Sequence, residues 1–314
     1  MRILVLGGSG FLGSHVVDIF NASGHEVTVF DRHPERFRSQ LSSVHFFQAE
    51  FGNRGELEIA LSKGVDVVVH LISSTLPQSS NDDPIYDVQS NLVESIALFE
   101  LCVKHSVRKV VYISSGGTVY GVPEAIPVTE SHSTKPLCSY GITKRAIEDY
   151  LHLFHSLYGL QYDVLRVANP YGVRQDPLRK QGVISVFLYK YLNNEEITIW
   201  GDGSVVRDYV NVVDVARACL LSASSKNSGI YNVGSGVGLS LIDLLAVLEN
   251  IVGSKPSIKW LPGRGLDVPK IVLDCSHIHT ELSWQPQIDL NVGLLEMKNW
   301  IFSLNENSHN FYIN

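Results

Sequence analysis

With 314 residues, 45% of them hydrophobic and 18% charged, the chain has enough apolar side chain to bury a core and is excluded from the disordered class. The length suits one large domain, or a large lobe sharing its core with a smaller one. A net charge of −7 gives no general reason to bind nucleic acid and favours a small ligand, for which a local basic cluster suffices.

Arg2 and the apolar residues 3–6 open the chain, but Gly7 and Gly8 cut the run far short of the hydrophobic stretch of a signal peptide. Short apolar runs rich in β-branched residues follow at 27–30, 44–47, 65–70, 110–113 and 162–167, separated by stretches with helical spacing. That alternation predicts an α/β fold, a parallel sheet doubly wound by helices. The run at 65–69, apolar throughout but for Asp66 and not alternating, predicts a strand covered on both faces. Asp82 or Asp83 is placed to cap a helix with Pro84 in its first turn, along which Val88, Leu92, Ile96, Phe99 and Val103 recur at helical spacing. A second long helix, also apolar on one face, is expected over about 140–157.

The texture changes after Asn169-Pro170, where loops such as Gly201-Asp202-Gly203 and Pro262-Gly263-Arg264-Gly265 interrupt shorter elements. A smaller C-terminal α/β lobe is expected there. The division read from the chain sets 1–168, with about 205–235 returning to it, against 169–204 together with 236–314. No apolar stretch reaches bilayer-spanning length, and residues 305–314 read as a polar tail. Cys102, Cys138, Cys219 and Cys275 stand far apart without a CxxC pair, which argues against a zinc site and against a disulfide framework. The chain reads as cytoplasmic, and Cys138 as a buried, inert thiol.

Gly7, Gly10 and Gly13 follow the first strand and open a helix, so backbone N–H groups are able to approach a pyrophosphate with no Cβ in the way. A glycine triplet alone is weak evidence. Here the second strand ends at Asp31, within the interval at which a carboxylate meets the adenosine ribose of a dinucleotide, and together the two signals are strong. Asp31 accepts from a ribose 2′-OH and repels the 2′-phosphate of NADP, so NAD is the expected cofactor. Arg32, next to it, is the feature that would suit that phosphate instead.

Tyr140-Gly141-Ile142-Thr143-Lys144 sets a phenol and an ammonium four residues apart, on one face of a helix. Tyrosine titrates at about 10 when unperturbed; a neighbouring lysine and the positive nicotinamide of NAD+ both stabilise the phenolate, so the pKa is expected to move toward neutrality for acid/base work.

The motifs GGSGFLG, ISSGGTVYG, YGITK, RVANPYG, WGDGSVVRDYV and GRGLD, with the strand-end Asp31, resemble those of the extended short-chain dehydrogenase/reductases over nearly the whole chain. Within that NAD-dependent epimerase/dehydratase group they are nearest the UDP-glucose 4-epimerases. The resemblance implies a Rossmann-type lobe that holds NAD, a nucleotide-sugar-binding lobe beyond it, and homodimers joined through the two long helices. It implies cofactor contacts at Gly7, Gly10, Phe11, Leu12, Gly13 and Asp31, at Glu50 and Phe51 near the adenine, at Leu71, Ile72 and Ser73, and at Asn91 and Ser114. Tyr140 is implied as the acid/base, and Lys144 as the residue that binds the nicotinamide ribose and lowers the tyrosine pKa. For a nucleoside-diphosphate sugar, a UDP-sugar first among them, it implies Asn169 at the diphosphate, Trp200 beside the base, Arg207 and Arg264 on phosphate and Asp267 on the ribose. The planar fork of arginine suits phosphate.

The chain also departs from the family pattern. Gly116 stands where the family carries a catalytic Ser or Thr, four places before the tyrosine of the VYG motif. If the segment is extended, Ser114, Gly116 and Thr118 share a face, so Thr118 is expected to supply the missing hydroxyl, with Ser115 or Ser114 as substitutes. The sugar-nucleotide 4,6-dehydratases carry an Asp-Glu pair where this chain has Gly117 and Thr118, so the carboxylates that eliminate water are missing. The family lysine after the fourth strand is replaced as well, with Thr75 near its place. Ile271, four after Asp267, falls where related epimerases gate the C2 substituent, and its medium size selects neither glucose nor N-acetylglucosamine.

The expected activity is NAD-dependent 4-epimerisation through a transient 4-keto sugar, on UDP-glucose and UDP-galactose or their N-acetyl or uronic acid analogues. An NAD(P)H-dependent 4-keto-deoxysugar reductase is the alternative, set apart by its need for added reductant. A non-catalytic NAD-binding regulator is disfavoured by the intact pair of Tyr140 and Lys144.

Overall fold

Strand β1 (Arg2–Leu6) leads into helix α1 (Phe11–Ala22), followed by β2 (Glu26–Asp31), β3 (Val44–Gln48), α2 (Arg54–Ser62) and β4 (Val67–His70). The chain continues through α3 (Pro84–Asp87), α4 (Glu94–Lys104), β5 (Lys109–Ser115), α5 (Ser139–Tyr158) and β6 (Gln161–Val167). The smaller lobe begins with β7 (Asn169–Tyr171), α6 (Val183–Leu192), β8 (Ile197–Trp200) and β9 (Val206–Asn211). Next, α7 (Val212–Ser224) and β10 (Gly229–Val233) turn back to the first sheet. The chain then passes through β11 (Gly238–Ser240), α8 (Leu241–Val252), β12 (Ile258–Leu261), α9 (Ser276–Leu282) and α10 (Leu290–Glu306). This computed structural model describes residues 1–178, 181–263 and 268–306.

The large sheet has seven parallel strands in the order β10-β6-β5-β4-β1-β2-β3. Successive residues of β1 face opposite ways. Ile3 and Val5 enter the core beneath α1 and α7, whereas Leu4 and Leu6 enter the one beneath α2, α4 and α5. Both faces are covered, which makes this a Rossmann-type, doubly wound fold. The chain first moves outward to β3 and then restarts on the other side of β1 with β4. At that switch point the carboxyl ends of β1 and β4 border an open crevice, where ligands of such sheets bind.

The smaller lobe holds a three-stranded sheet, β11-β9-β7, and the parallel pair β12-β8. Its core lies between α6, α8 and α10. His15 of α1 ties the lobes together, with Nε2 3.0 Å from the Val173 carbonyl oxygen.

The helix capped by Asp83 runs from Pro84 to Lys104 and contains a π-helical segment. Asp83 Oδ1 accepts from the Tyr86 N–H at 2.9 Å, and Val88–Val93 form a π-helical turn before α4 begins. Of the expected stripe, Leu92, Ile96, Phe99 and Val103 pack on the core, and only Val88 departs from it. Val88 and Val93 face outward while the polar Asn91 and Ser95 are buried. Among the described residues, no helix is long and apolar enough to cross a membrane.

Candidate active site

β1 ends in a turn at Gly7, whose φ of +84° suits glycine and whose N–H donates to the Phe30 carbonyl at 2.9 Å. A Cβ at Gly13 would lie 2.0 Å from the Gly7 oxygen, so α1 packs on the turn only with glycine there. Gly10 begins α1 without a side-chain cap, which leaves the first N–H groups of the helix to a phosphate. Gly7, Gly10, Phe11, Leu12 and Gly13 all line one cavity.

Asp31 Oδ2 accepts from the Ser9 N–H at 3.1 Å and Oδ1 from the His33 N–H at 2.9 Å. The carboxylate thereby holds the glycine turn against the end of β2, and each oxygen keeps a lone pair for a ribose hydroxyl. Arg32 is exposed and lies 3.9 Å from the equally exposed Glu50. Phe51 behaves differently from its neighbour: its ring is buried 5.1 Å from that of His70 and packs in the core instead of lining the cavity.

Leu71 and Ser73 line the cavity, while Ile72 packs beneath Gly7. Asn91 is buried behind that wall. Its Oδ1 accepts from the Ser74 N–H at 2.8 Å and its Nδ2 donates to Asp87 Oδ1 at 3.1 Å, so it braces the loop after β4 from outside the cavity.

A 3₁₀ turn, Ser79–Asn81, supplies the caps for α5. The Ser139 N–H donates to Asn81 Oδ1 at 2.9 Å and the Tyr140 N–H to Ser80 Oγ at 3.0 Å. Tyr140 and Lys144 then line the cavity from successive turns. Lys144 Nζ sits 4.9 Å from the Tyr112 ring centre and 5.5 Å from that of Tyr140. Burial pushes Lys144 down to about 8, opposed by Asp87 and Glu148. Burial also pushes the Tyr140 phenol well above its ordinary value; Cys138 and Asp87 add to this, and a hydrogen bond with Ser73 opposes it. The fall of the tyrosine toward neutrality is therefore not achieved by the protein's own groups. Desolvation outweighs the hydrogen bond that opposes it.

The hydroxyls at the end of β5 are arranged differently from the expected alternation. The strand stops at Ser115 and residues 116–118 form a turn, so Ser114, Gly116 and Thr118 do not share an extended face. A Cβ at Gly116 would stand 2.5 Å from Leu273 Cδ1 and 3.0 Å from the Arg166 carbonyl oxygen, so a hydroxyl side chain there has to displace the Leu273 methyl. Ser114 is already committed, donating to Glu148 Oε1 at 2.5 Å beside the buried pair of Glu148 and Arg166. Thr118 Oγ1 is buried without a hydrogen-bond partner among the described residues, against the start of α5 and outside the cavity wall. Ser115 is half-buried at the strand end, likewise outside the cavity wall, and its hydroxyl makes no hydrogen bond among the described residues.

The cavity, about 640 Å³, continues past Tyr140 and Lys144 into the smaller lobe, where Asn169, Trp200 and Arg207 line it. Asn169 opens β7 and donates from Nδ2 to the Asp208 carbonyl at 3.0 Å. Trp200 ends β8 with 40% of its surface exposed. Arg207 is steadied by the carbonyls of Val206 and Val268, 2.9 and 2.7 Å from Nη1. Arg264 and Asp267 lie outside the described residues. Ile271 is not a gate in the cavity wall: it is buried in the main core, its N–H donating to the Val206 carbonyl at 3.2 Å.

Among the cavity side chains that the motifs did not single out, two carry orphaned polar atoms. Gln175 Oε1 and the Tyr209 hydroxyl are buried with no hydrogen-bond partner among the described residues. Buried polar atoms left unpaired are the kind that a ligand completes. Tyr209 carries a usable signal, since it stands two residues after Arg207 on the same face of β9. Gln175 carries none, because the loop after β7 has no regular spacing to read.

Comparison with known proteins points the same way. A model described as the NAD dependent epimerase/dehydratase family matches residues 3–234. A putative UDP-glucose 4-epimerase of Methanocaldococcus jannaschii is 36% identical over 300 residues, spanning 95% of this chain and 98% of its own length. The crystal structure of a UDP-glucose 4-epimerase from Thermotoga maritima with UDP-glucose matches with a TM-score of 0.93 at 35% identity, over 97% of this chain and 100% of that one. A UDP-glucose 4-epimerase of Thermus thermophilus in complex with NAD gives 0.90 at 33% identity, over 96% and 99%.

Proposed function

The chain belongs to the NAD dependent epimerase/dehydratase family as an NAD-dependent sugar-nucleotide epimerase, and on that premise we propose that it interconverts UDP-glucose and UDP-galactose at C4. The observation that carries the reading is one continuous cavity in which Tyr140 and Lys144 stand between the glycine turn and the wall of Asn169, Trp200 and Arg207. The choice of a uridine nucleotide and a neutral hexose is supported by the Thermotoga maritima relative, which was solved with UDP-glucose.

NAD fits the residues present. The uncapped start of α1 and the close approach of Gly13 to Gly7 suit its pyrophosphate, and Asp31 suits its adenosine ribose. When bound, it supplies the centre that accepts a hydride from the sugar C4 and gives it back. Tyr140 Oη takes the proton of the 4-hydroxyl as C4 is oxidised and returns it as C4 is reduced, so the site loses no proton over the cycle. Lys144 stabilises the phenolate while it keeps its charge. Ser115, which like Thr118 has no hydrogen-bond partner among the described residues, is the hydroxyl that donates to O4. Asn169, Arg207 and Arg264 hold the diphosphate, Trp200 lies at the base and Asp267 at its ribose. Anchored in this way, the 4-keto sugar turns about its phosphate bonds and presents its other face.

In this reading residues 1–168, with 205–235, serve the cofactor, and 169–204 with 236–314 serve the nucleotide sugar. A homodimer belongs to it as well, joined where Val93, Leu153, Leu157 and Tyr158 are exposed on and beside α4 and α5. The test is a panel of UDP-, dTDP- and GDP-sugars followed by NMR with no added NAD(P)H. Conversion of UDP-glucose into UDP-galactose is expected, and turnover that consumes one NADPH per product would sink the reading.

A further inference from the structure

Asp87 is the last residue of α3 and is fully buried, yet among the described residues its partners are hydroxyls and an amide, with no paired cation. Oδ1 accepts from Thr75 Oγ1 and, at 3.1 Å, from Asn91 Nδ2; Oδ2 accepts from Ser139 Oγ and Thr143 Oγ1, both at 2.7 Å. These donors come from three separate segments. Thr75 belongs to the cavity wall after β4, Asn91 to the π turn, and Ser139 and Thr143 sit immediately before Tyr140 and Lys144 on α5. Further along, α5 is seated on the sheet by Ile147, Leu151 and Phe154 and by the buried pair of Glu148 and Arg166. A buried carboxylate is costly unless every lone pair facing the protein is used, and a fully used one specifies a single geometry.

We propose that Asp87 is the positioning residue of the catalytic helix: its carboxylate ties the cavity wall at Thr75 to the turn of α5 carrying Tyr140 and Lys144, and sets a negative charge near the ammonium. The proposal rests on the epimerase reading of the same site. The groups facing Lys144 are Asp87, Glu148 one turn further on, the rings of Tyr112 and Tyr140, and His70 beyond Tyr112. Of these, Asp87 and Glu148 raise its hold on the proton against burial. Tyr140 is faced by Asp87, Cys138 and Ser73.

Asp87→Asn removes the charge and turns one acceptor into a donor. Thr143→Val and Ser139→Ala remove donors and leave the charge. NAD affinity by fluorescence titration and the pH profile of kcat are measured for each. Asp87→Asn is expected to weaken NAD binding and lower kcat by about 10-fold each, and to move the alkaline limb of kcat about one unit toward acid, because Lys144 then gives up its proton sooner. The two hydroxyl variants are expected to lose less and to leave the limb in place. Wild-type NAD affinity with an unmoved limb in Asp87→Asn overturns the proposal. Should that variant fail to fold, the double variant of Ser139 and Thr143 carries the test, and an unchanged NAD affinity there overturns it. If the wild-type protein epimerises no sugar at all, the functional reading fails, and the NAD titrations alone decide on Asp87.

Discussion

Lys144 Nζ donates to the carbonyl oxygen of Ile113 at 2.9 Å, joining the catalytic helix to the strand beneath it. The bond holds the ammonium in a desolvated place, where the lysine titrates at about 8. Below that value Lys144 is charged and supports the Tyr140 phenolate; above it the support is lost. The kcat of the wild-type enzyme is therefore expected to fall as pH rises through about 8, and Lys144→Met to lose roughly 10²-fold. A kcat that stays level well above that pH would refute the assignment. Linkage runs in the opposite direction. The unfolded chain holds this proton more tightly, so the depressed lysine adds stability as pH rises toward its ordinary value of 10.5 and withdraws it as pH falls through about 8.

The three hydroxyls near Gly116 separate by substitution. Ser115→Ala is expected to lower kcat at least about 10-fold. Thr118→Val exchanges a buried, unpartnered hydroxyl for a methyl of similar shape, and is expected to raise the unfolding free energy by about 1 kcal/mol. Initial rates and urea denaturation decide between the residues. A greater loss of rate in Thr118→Val than in Ser115→Ala would give the role back to Thr118.

Gly13→Ala forces a methyl to within 2.0 Å of the Gly7 oxygen, a backbone atom that cannot swing aside. The turn has to open, and with it the phosphate cradle. NAD affinity is expected to fall by at least about 10-fold, equivalent to about 1.4 kcal/mol, with a lower Tm. An alanine variant that binds NAD as the wild type does would show that α1 relaxes without disturbing the cradle.

Glu148→Ala leaves the Arg166 guanidinium buried at 2% exposure and takes away the acceptor for Ser114. The expected destabilisation is about 3–5 kcal/mol, read from urea unfolding. Tyr120 stays hydrogen-bonded to Arg166 at 3.0 Å, which offers only a neutral partner to the stranded charge. A loss under about 1 kcal/mol would mean that water or a shifted side chain satisfies Arg166.

Much of the fold is visible in the chain because its signals are local. Val67, Val68 and Val69 announce a strand covered on both faces, and the turn at Gly7 is marked by a residue type that alone tolerates its φ. The π segment at Val88–Val93 is invisible to the same reading, since a helical stripe runs across it on paper. Asn91 within it is buried, and with Asp87 it stands behind the cavity wall.

The amino-acid sequence by itself determined the phosphate turn, the strand-end Asp31, the four-residue spacing of Tyr140 and Lys144, and hence the family. All of these depend on neighbours within one turn or one strand. Only the tertiary structure decided that Ser114 is committed to Glu148, that Gly116 sits against Leu273, and that Ile271 belongs to the core. Those outcomes depend on desolvation and on partners far along the chain: Ser114 meets Glu148 34 residues away, and Asp87 meets Thr143 56 residues away. The energy of such contacts is set by what surrounds them once the core has closed, which no stretch of residues read in order contains.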